Sequence, residues 1–156
     1  GPNSDRHDFK LSDQSIECKA TISHSGLRVA VHGSQQLNPL PSVPLVLAVR
    51  QYEMAPSGAL SIPRLTRQIL DIPFLDQDLF IAQLRKFNLD VNSILSCPNN
   101  FRTYRPVGAF EFDVTEDFPR IQEVDIVSRV QNVEYGLDLS EPESVPGLRE
   151  INEFFD

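Results

Sequence analysis

The sequence predicts an α/β chain of the α+β kind: a mixed sheet with flanking helices. Three observations predict it. A polar turn joins two short strand-like runs at the amino end, Leu45–Val49 is a nearly continuous apolar run of strand length, and two stretches of helical spacing lie between Ser61 and Phe87. Strand-like sequence then resumes after the helices, so both parallel and antiparallel pairings are expected.

Ser12-Asp13-Gln14 is the turn of an expected β-hairpin, and pairing around Asp13 sets Asp8 opposite Glu17 or Cys18. Side chains alternate along a strand, so Glu17 and Lys19 share one face. Ile16, Cys18 and Ala20 take the other and are expected to enter a core. Leu27–Val31 is the next β-rich stretch, followed by a Pro-containing loop from Gly33 to Pro44. Leu45–Val49 has no polar alternation and reads as a central strand buried on both faces. After the Ala55-Pro56-Ser57-Gly58 turn, Ser61 and Pro63 signal a helix start, and the helix runs to about Leu70. A second helix over Asp76–Phe87 carries Leu79, Phe80, Ile81, Leu84 and Phe87 on a stripe expected to face the core.

Cys97-Pro98-Asn99-Asn100 breaks the helical pattern. Phe101–Thr115 alternates as one or two strands around Gly108, with Phe110 and Phe112 on one face. Val130–Leu139 reads as an extended strand, with Val133, Tyr135, Leu137 and Leu139 at period two and Glu134 and Asp138 outward. The acidic end is expected to carry a short helix from Pro146.

A length of 156 residues suits one domain. Gly1-Pro2-Asn3-Ser4 reads as the remnant of an expression tag, and a single domain is expected over 5–156, with a core at 5–98 and added strands and an acidic tail at 99–156. No apolar run approaches membrane-spanning length. Cys18 and Cys97 are far apart with no metal-ligand spacing, and are expected to be free, buried thiols in a reducing compartment. The net charge of −8 argues against a protein that coats DNA, because nonspecific affinity comes from Lys and Arg contacts to phosphate. Acids crowd the stretch from Glu111 to Asp156, whereas Arg64, Arg67, Arg85, Lys86, Arg102 and Arg105 fall in the middle and leave room for a local basic surface.

The densest chemistry lies in the hairpin. Two carboxylates and a backbone carbonyl between them form an oxygen half-shell suited to a hard ion such as Mg²⁺, and divalent metals serve phosphodiester hydrolysis. Asp8 and Glu17 are the candidate side-chain ligands and the Cys18 carbonyl the third. Lys19, on the Glu17 face, is placed to stabilise developing negative charge. Glu-x-Lys alone is common, and an ion pair on a strand face is its ordinary meaning.

The surrounding residues add to the pattern. His7-Asp8-Phe9 followed by Ser15-Ile16-Glu17-Cys18-Lys19-Ala20-Thr21 resembles the catalytic hairpin of the PD-(D/E)XK nuclease superfamily, in which an Asp precedes Asp/Glu-x-Lys set between apolar strand residues. Gln36-Leu37-Asn38-Pro39, Tyr52–Gly58, Phe118–Ile121 and Val133–Ser140 are similar, in order, to segments of a branch found with bacterial restriction and defence genes. The resemblance implies a restriction-endonuclease-like core, catalytic residues Asp8, Glu17 and Lys19, and Mg²⁺ or Mn²⁺ bound by Asp8, Glu17 and Cys18. It also implies a glutamine at Gln36 that positions substrate or water. His32 and, on its face, Arg28 are further candidates for approaching phosphate. The superfamily core has a helix before the Asp strand, often with one more acid, and this chain begins too late to contain all of it. Metal binding is therefore expected to be weak if it occurs at all, and a truncated, inactive nuclease domain is one of the expectations.

These residues lead to an expected Mg²⁺-dependent endonuclease acting on DNA in a bacterial restriction or phage-defence system, cytoplasmic and without membrane contact. The alternatives are an inactive nuclease-like scaffold that binds a helicase or ATPase partner, and a β-rich interaction module unrelated to nucleases.

Overall fold

The amino-terminal turn forms as expected, Leu11 N–H donating to the Gln14 carbonyl at 2.8 Å, in a computed structural model that describes residues 6–22 and 24–149. Its flanks are β1 (Phe9–Lys10) and β2 (Ser15–Thr21), followed by β3 (Arg28–His32) and β4 (Leu45–Met54). Three helices come next, α1 (Ile62–Leu70), α2 (Gln77–Lys86) and α3 (Val91–Ser96), and the chain ends on β5 (Tyr104–Asp113) and β6 (Glu134–Asp138). One sheet has the order β1-β2-β4-β5, with β1 antiparallel and β4 parallel to β2, which is the expected mixed sheet. β3 and β6 form a separate antiparallel pair.

The described residues fall into two compact units, 6–52 with 107–149, and 53–106. In the first, the β3–β6 pair supplies Val29, Val31 and Leu137 to a core that also takes Leu45, Leu47 and Val49 from β4 and Phe112 from β5. Leu37, Phe118 and Leu139 fill in from the connecting segments, and Phe112 and Phe118 meet with ring centroids 6.0 Å apart. All five residues of Leu45–Val49 are buried, as a central strand requires.

The second unit holds the helices. α1 starts where Ser61 and Pro63 place it: the Ser61 hydroxyl accepts from Arg64 N–H, satisfying one of the helix's orphan donors. Ser61→Ala is expected to cost about 1 kcal/mol, read from chemical unfolding of the whole chain. α1 packs on α3, burying Pro63 and Thr66 with Val91 and Ile94. This unit carries six Lys and Arg against five Asp and Glu, so the chain's acid excess lies in the other unit.

Four expectations need correction. The Ile16/Cys18/Ala20 face is not the core face: Cys18 and Ala20 are exposed and Glu17 is buried. The reason is register. Glu17 and Lys19 lie beside Leu47 and Val49, whereas Cys18 lies beside Ala48, and residues in register on neighbouring strands share a face. Cys97 as well as Cys18 is exposed, so neither thiol is buried. The α2 stripe is only partly covered, with Leu79 and Phe87 exposed, because a helical period shows which face is apolar and not what will cover it. Finally, no helix starts at Pro146. Gly147, at φ 83°, turns the chain antiparallel to β5, its carbonyl accepting from Asp113 N–H and Arg149 N–H donating to the Glu111 carbonyl. Backbone groups at the edge of β5 need partners, and this segment supplies them. Residues 150–156 of the expected tail lie outside the described ones.

A pH effect arises in the β3–β6 pair. The Asp138 carboxylate accepts from the Ser140 hydroxyl and N–H and from Arg28, which hold its pKa down to about 2. A depressed carboxylate stabilises the fold above its unfolded pKa and loses that contribution as pH falls through the folded value. Asp138→Asn is therefore expected to flatten the stability profile between the ordinary Asp pKa and about pH 2, read from acid titration of the melting temperature.

Candidate active site

β1 pairs with β2 through Phe9 opposite Ile16 and Lys10 opposite Ser15. Asp8 itself lies just before β1, free of strand geometry, and its Oδ2 accepts from Cys18 N–H at 2.9 Å. Along a strand the N–H and C=O of one residue project to the same side. The Cys18 carbonyl therefore leaves β2 on the Asp8 side, away from β4, as a third oxygen near the two carboxylates needs.

On the core face, Lys19 Nζ lies 3.0 Å from Glu17 Oε1 and donates to Gln36 Oε1 at 2.7 Å. The Glu17 side chain is 2% exposed and that of Lys19 12%. Burial pushes the Glu17 carboxyl above the ordinary range. The Lys19 hydrogen bond and charge oppose this, and the nearby Asp8 charge adds to it. A buried carboxylate, a second carboxylate near enough to feel it, and a lysine at hydrogen-bonding distance are thus gathered at one edge of the sheet.

Gln36 joins the cluster from the loop after β3. Its Oε1 accepts from His32 N–H at 2.9 Å as well as from Lys19, so the loop fixes the amide and the amide fixes the ammonium. His32 takes part through its backbone, while its ring pairs with Glu134 at 3.2 Å. Arg28 is bound to Asp138 at 2.9 Å across the β3–β6 pair. Both side chains are exposed beyond the cluster and are engaged in cross-strand pairs.

His7, which sequence reasoning left aside, is 1% exposed beside Asp8. Burial and the charge of Arg6 hold its imidazole below the ordinary pKa, against the Asn38 backbone and Asp8, which raise it. Its position next to the motif Asp was a visible signal, but only folding reveals that it is buried.

The donor chemistry, two carboxylates and a carbonyl, suits Mg²⁺ or Mn²⁺. Among the described residues no group of three or more His, Cys, Asp or Glu side chains gathers to hold a metal. No described helix is long and apolar enough to cross a membrane. A family model described as "Putative PD-(D/E)XK family member" matches residues 1–140. No curated protein and no solved structure gives a significant match.

Proposed function

The chain belongs to this PD-(D/E)XK family, and from that premise we propose that it is a metal-dependent nuclease hydrolysing DNA phosphodiester bonds with Asp8, Glu17 and Lys19. The observation that carries this reading is the fixed Lys19 ammonium, held between Glu17 Oε1 and Gln36 Oε1 beside the Asp8-bound Cys18 amide. An ordinary ion pair on a strand face would be solvated. This one is largely buried, at a cost in desolvation.

Asp8, Glu17 and the Cys18 carbonyl would hold Mg²⁺ or Mn²⁺, which when bound supplies charge neutralisation at phosphate and a more acidic water. The chain's own residues do the rest. Lys19 places positive charge where the phosphate becomes more negative, and its two hydrogen bonds keep it there without reorganisation during reaction. Gln36 is a positioning residue: it holds the Lys19 amine and is itself held by His32 N–H. Asp8 orients the Cys18 peptide through its amide. The resemblance to the defence-linked branch extends the reading to a bacterial cytoplasmic restriction system.

The test is cleavage of supercoiled plasmid DNA with Mg²⁺ or Mn²⁺. Nicking or linearisation that stops on chelation is expected, and no cleavage under any divalent metal of either the plasmid or a duplex with a single-stranded flank would refute it. The acid excess of the first unit favours a second reading, an inactive scaffold for a helicase or ATPase partner. A chain that never cuts DNA but captures such an ATPase would establish it.

A further inference from the structure

Gln36, the residue that holds the Lys19 ammonium, also lines a cleft of about 620 Å³ formed by the loop after β3 and the segment leading into β6. The volume is in the range of small-ligand sites, roughly 300–1,000 Å³. Its lining is unusual for phosphate binding. Among the described residues that line it Arg6 is the one Lys or Arg, and the Arg6 Nε donates to the Gln35 carbonyl, while the His32 ring is paired with Glu134. What the cleft offers instead is amides, from Gln131 and Asn132, and the carbonyl end of Gln35, whose NH₂ donates to Glu123 at 2.9 Å, beside the apolar side chains of Ile126 and Val130.

Amide side chains read base edges by presenting a donor and an acceptor together, and apolar surface accepts the faces of bases. Gln36 adds to this set. Its Oε1 is taken by Lys19 and by His32 N–H, so its NH₂ is the part left for an acceptor. A duplex presents charged phosphates outermost and its base edges within grooves, whereas an unpaired strand can turn its bases outward. We propose that this cleft receives one or two unpaired bases of a single-stranded segment of the substrate, next to the phosphate placed at Lys19. The proposal rests on the nuclease reading and goes beyond it in substrate class: DNA with a single-stranded flank rather than uniform duplex.

The test uses the whole chain, in chelator so that nothing is cut, with a short labelled single-stranded oligodeoxynucleotide and a blunt duplex of the same sequence as probes. The double variant Gln131→Ala, Asn132→Ala is expected to weaken single-strand binding by about tenfold relative to duplex binding. Val130→Trp, at an exposed position, fills the cleft and is expected to do the same, which keeps the test decisive should the double variant fail to fold. A wild-type chain that does not bind the single strand overturns the proposal, as do folded variants in which both probes weaken equally or neither does. Cleavage by the wild-type chain with Mg²⁺ or Mn²⁺ separates the two readings. Single-strand binding that depends on the cleft, in a chain that never cuts, keeps the binding site and discards the nuclease; cleavage without such binding does the reverse.

Discussion

Lys19→Ala is expected to lower metal-dependent cleavage by about a hundred- to a thousandfold, the loss typical of removing one preorganised electrostatic group. The fold should survive. The lysine sits at the edge of the core, and the carboxylate it leaves behind can take up a proton, because burial already favours the neutral form of Glu17. The lysine is no metal ligand, so metal binding should persist above the raised Glu17 pKa. The measurement is the plasmid cleavage rate at saturating metal, beside a thermal melt. A variant that folds and cuts at the wild-type rate would remove Lys19 from the mechanism.

Glu17→Ala should instead lose metal binding and activity together. Metal bound to the native state raises stability by mass action. Added Mn²⁺ is therefore expected to raise the melting temperature of the wild type and to leave Glu17→Ala unmoved. The metal-free protein carries a further signature. A carboxyl whose folded pKa is raised contributes stability that is present below its unfolded pKa and lost as pH rises through the folded value. Glu17→Gln should accordingly remove the part of the stability decline that sets in as pH rises above the ordinary Glu pKa. An unchanged pH profile would mean that the buried carboxyl carries no such cost.

Much of this was legible before folding, and the gaps have physical reasons. The turn at Ser12-Asp13-Gln14, the run Leu45–Val49 and the Ser61/Pro63 helix start are local signals, and each formed where local chemistry placed it. Alternation in β2 showed correctly that Glu17 and Lys19 share a face but gave the wrong face to the core. Which face is buried was decided by pairing with Leu47 and Val49, a contact some thirty residues away in sequence. α3 escaped notice because six residues are too few to establish a period, although Asp90, whose side chain accepts from Ser93 N–H, caps its start. The candidate cluster of Asp8, Glu17 and Lys19 was visible in the sequence as residue types and order. That Gln36 grips Lys19, that Cys18 N–H caps Asp8, and that Glu17 is buried are consequences of tertiary packing.

The most direct test of the central claim is diffraction from crystals of the chain soaked in millimolar Mn²⁺ and recorded at the manganese absorption edge, a concentration chosen because weak binding is expected. The account predicts an anomalous peak in contact with the Asp8 and Glu17 carboxylates and the Cys18 carbonyl, absent from Glu17→Ala crystals soaked in the same way. A peak bound by other residues, or one that persists beside residue 17 after the substitution, would contradict it.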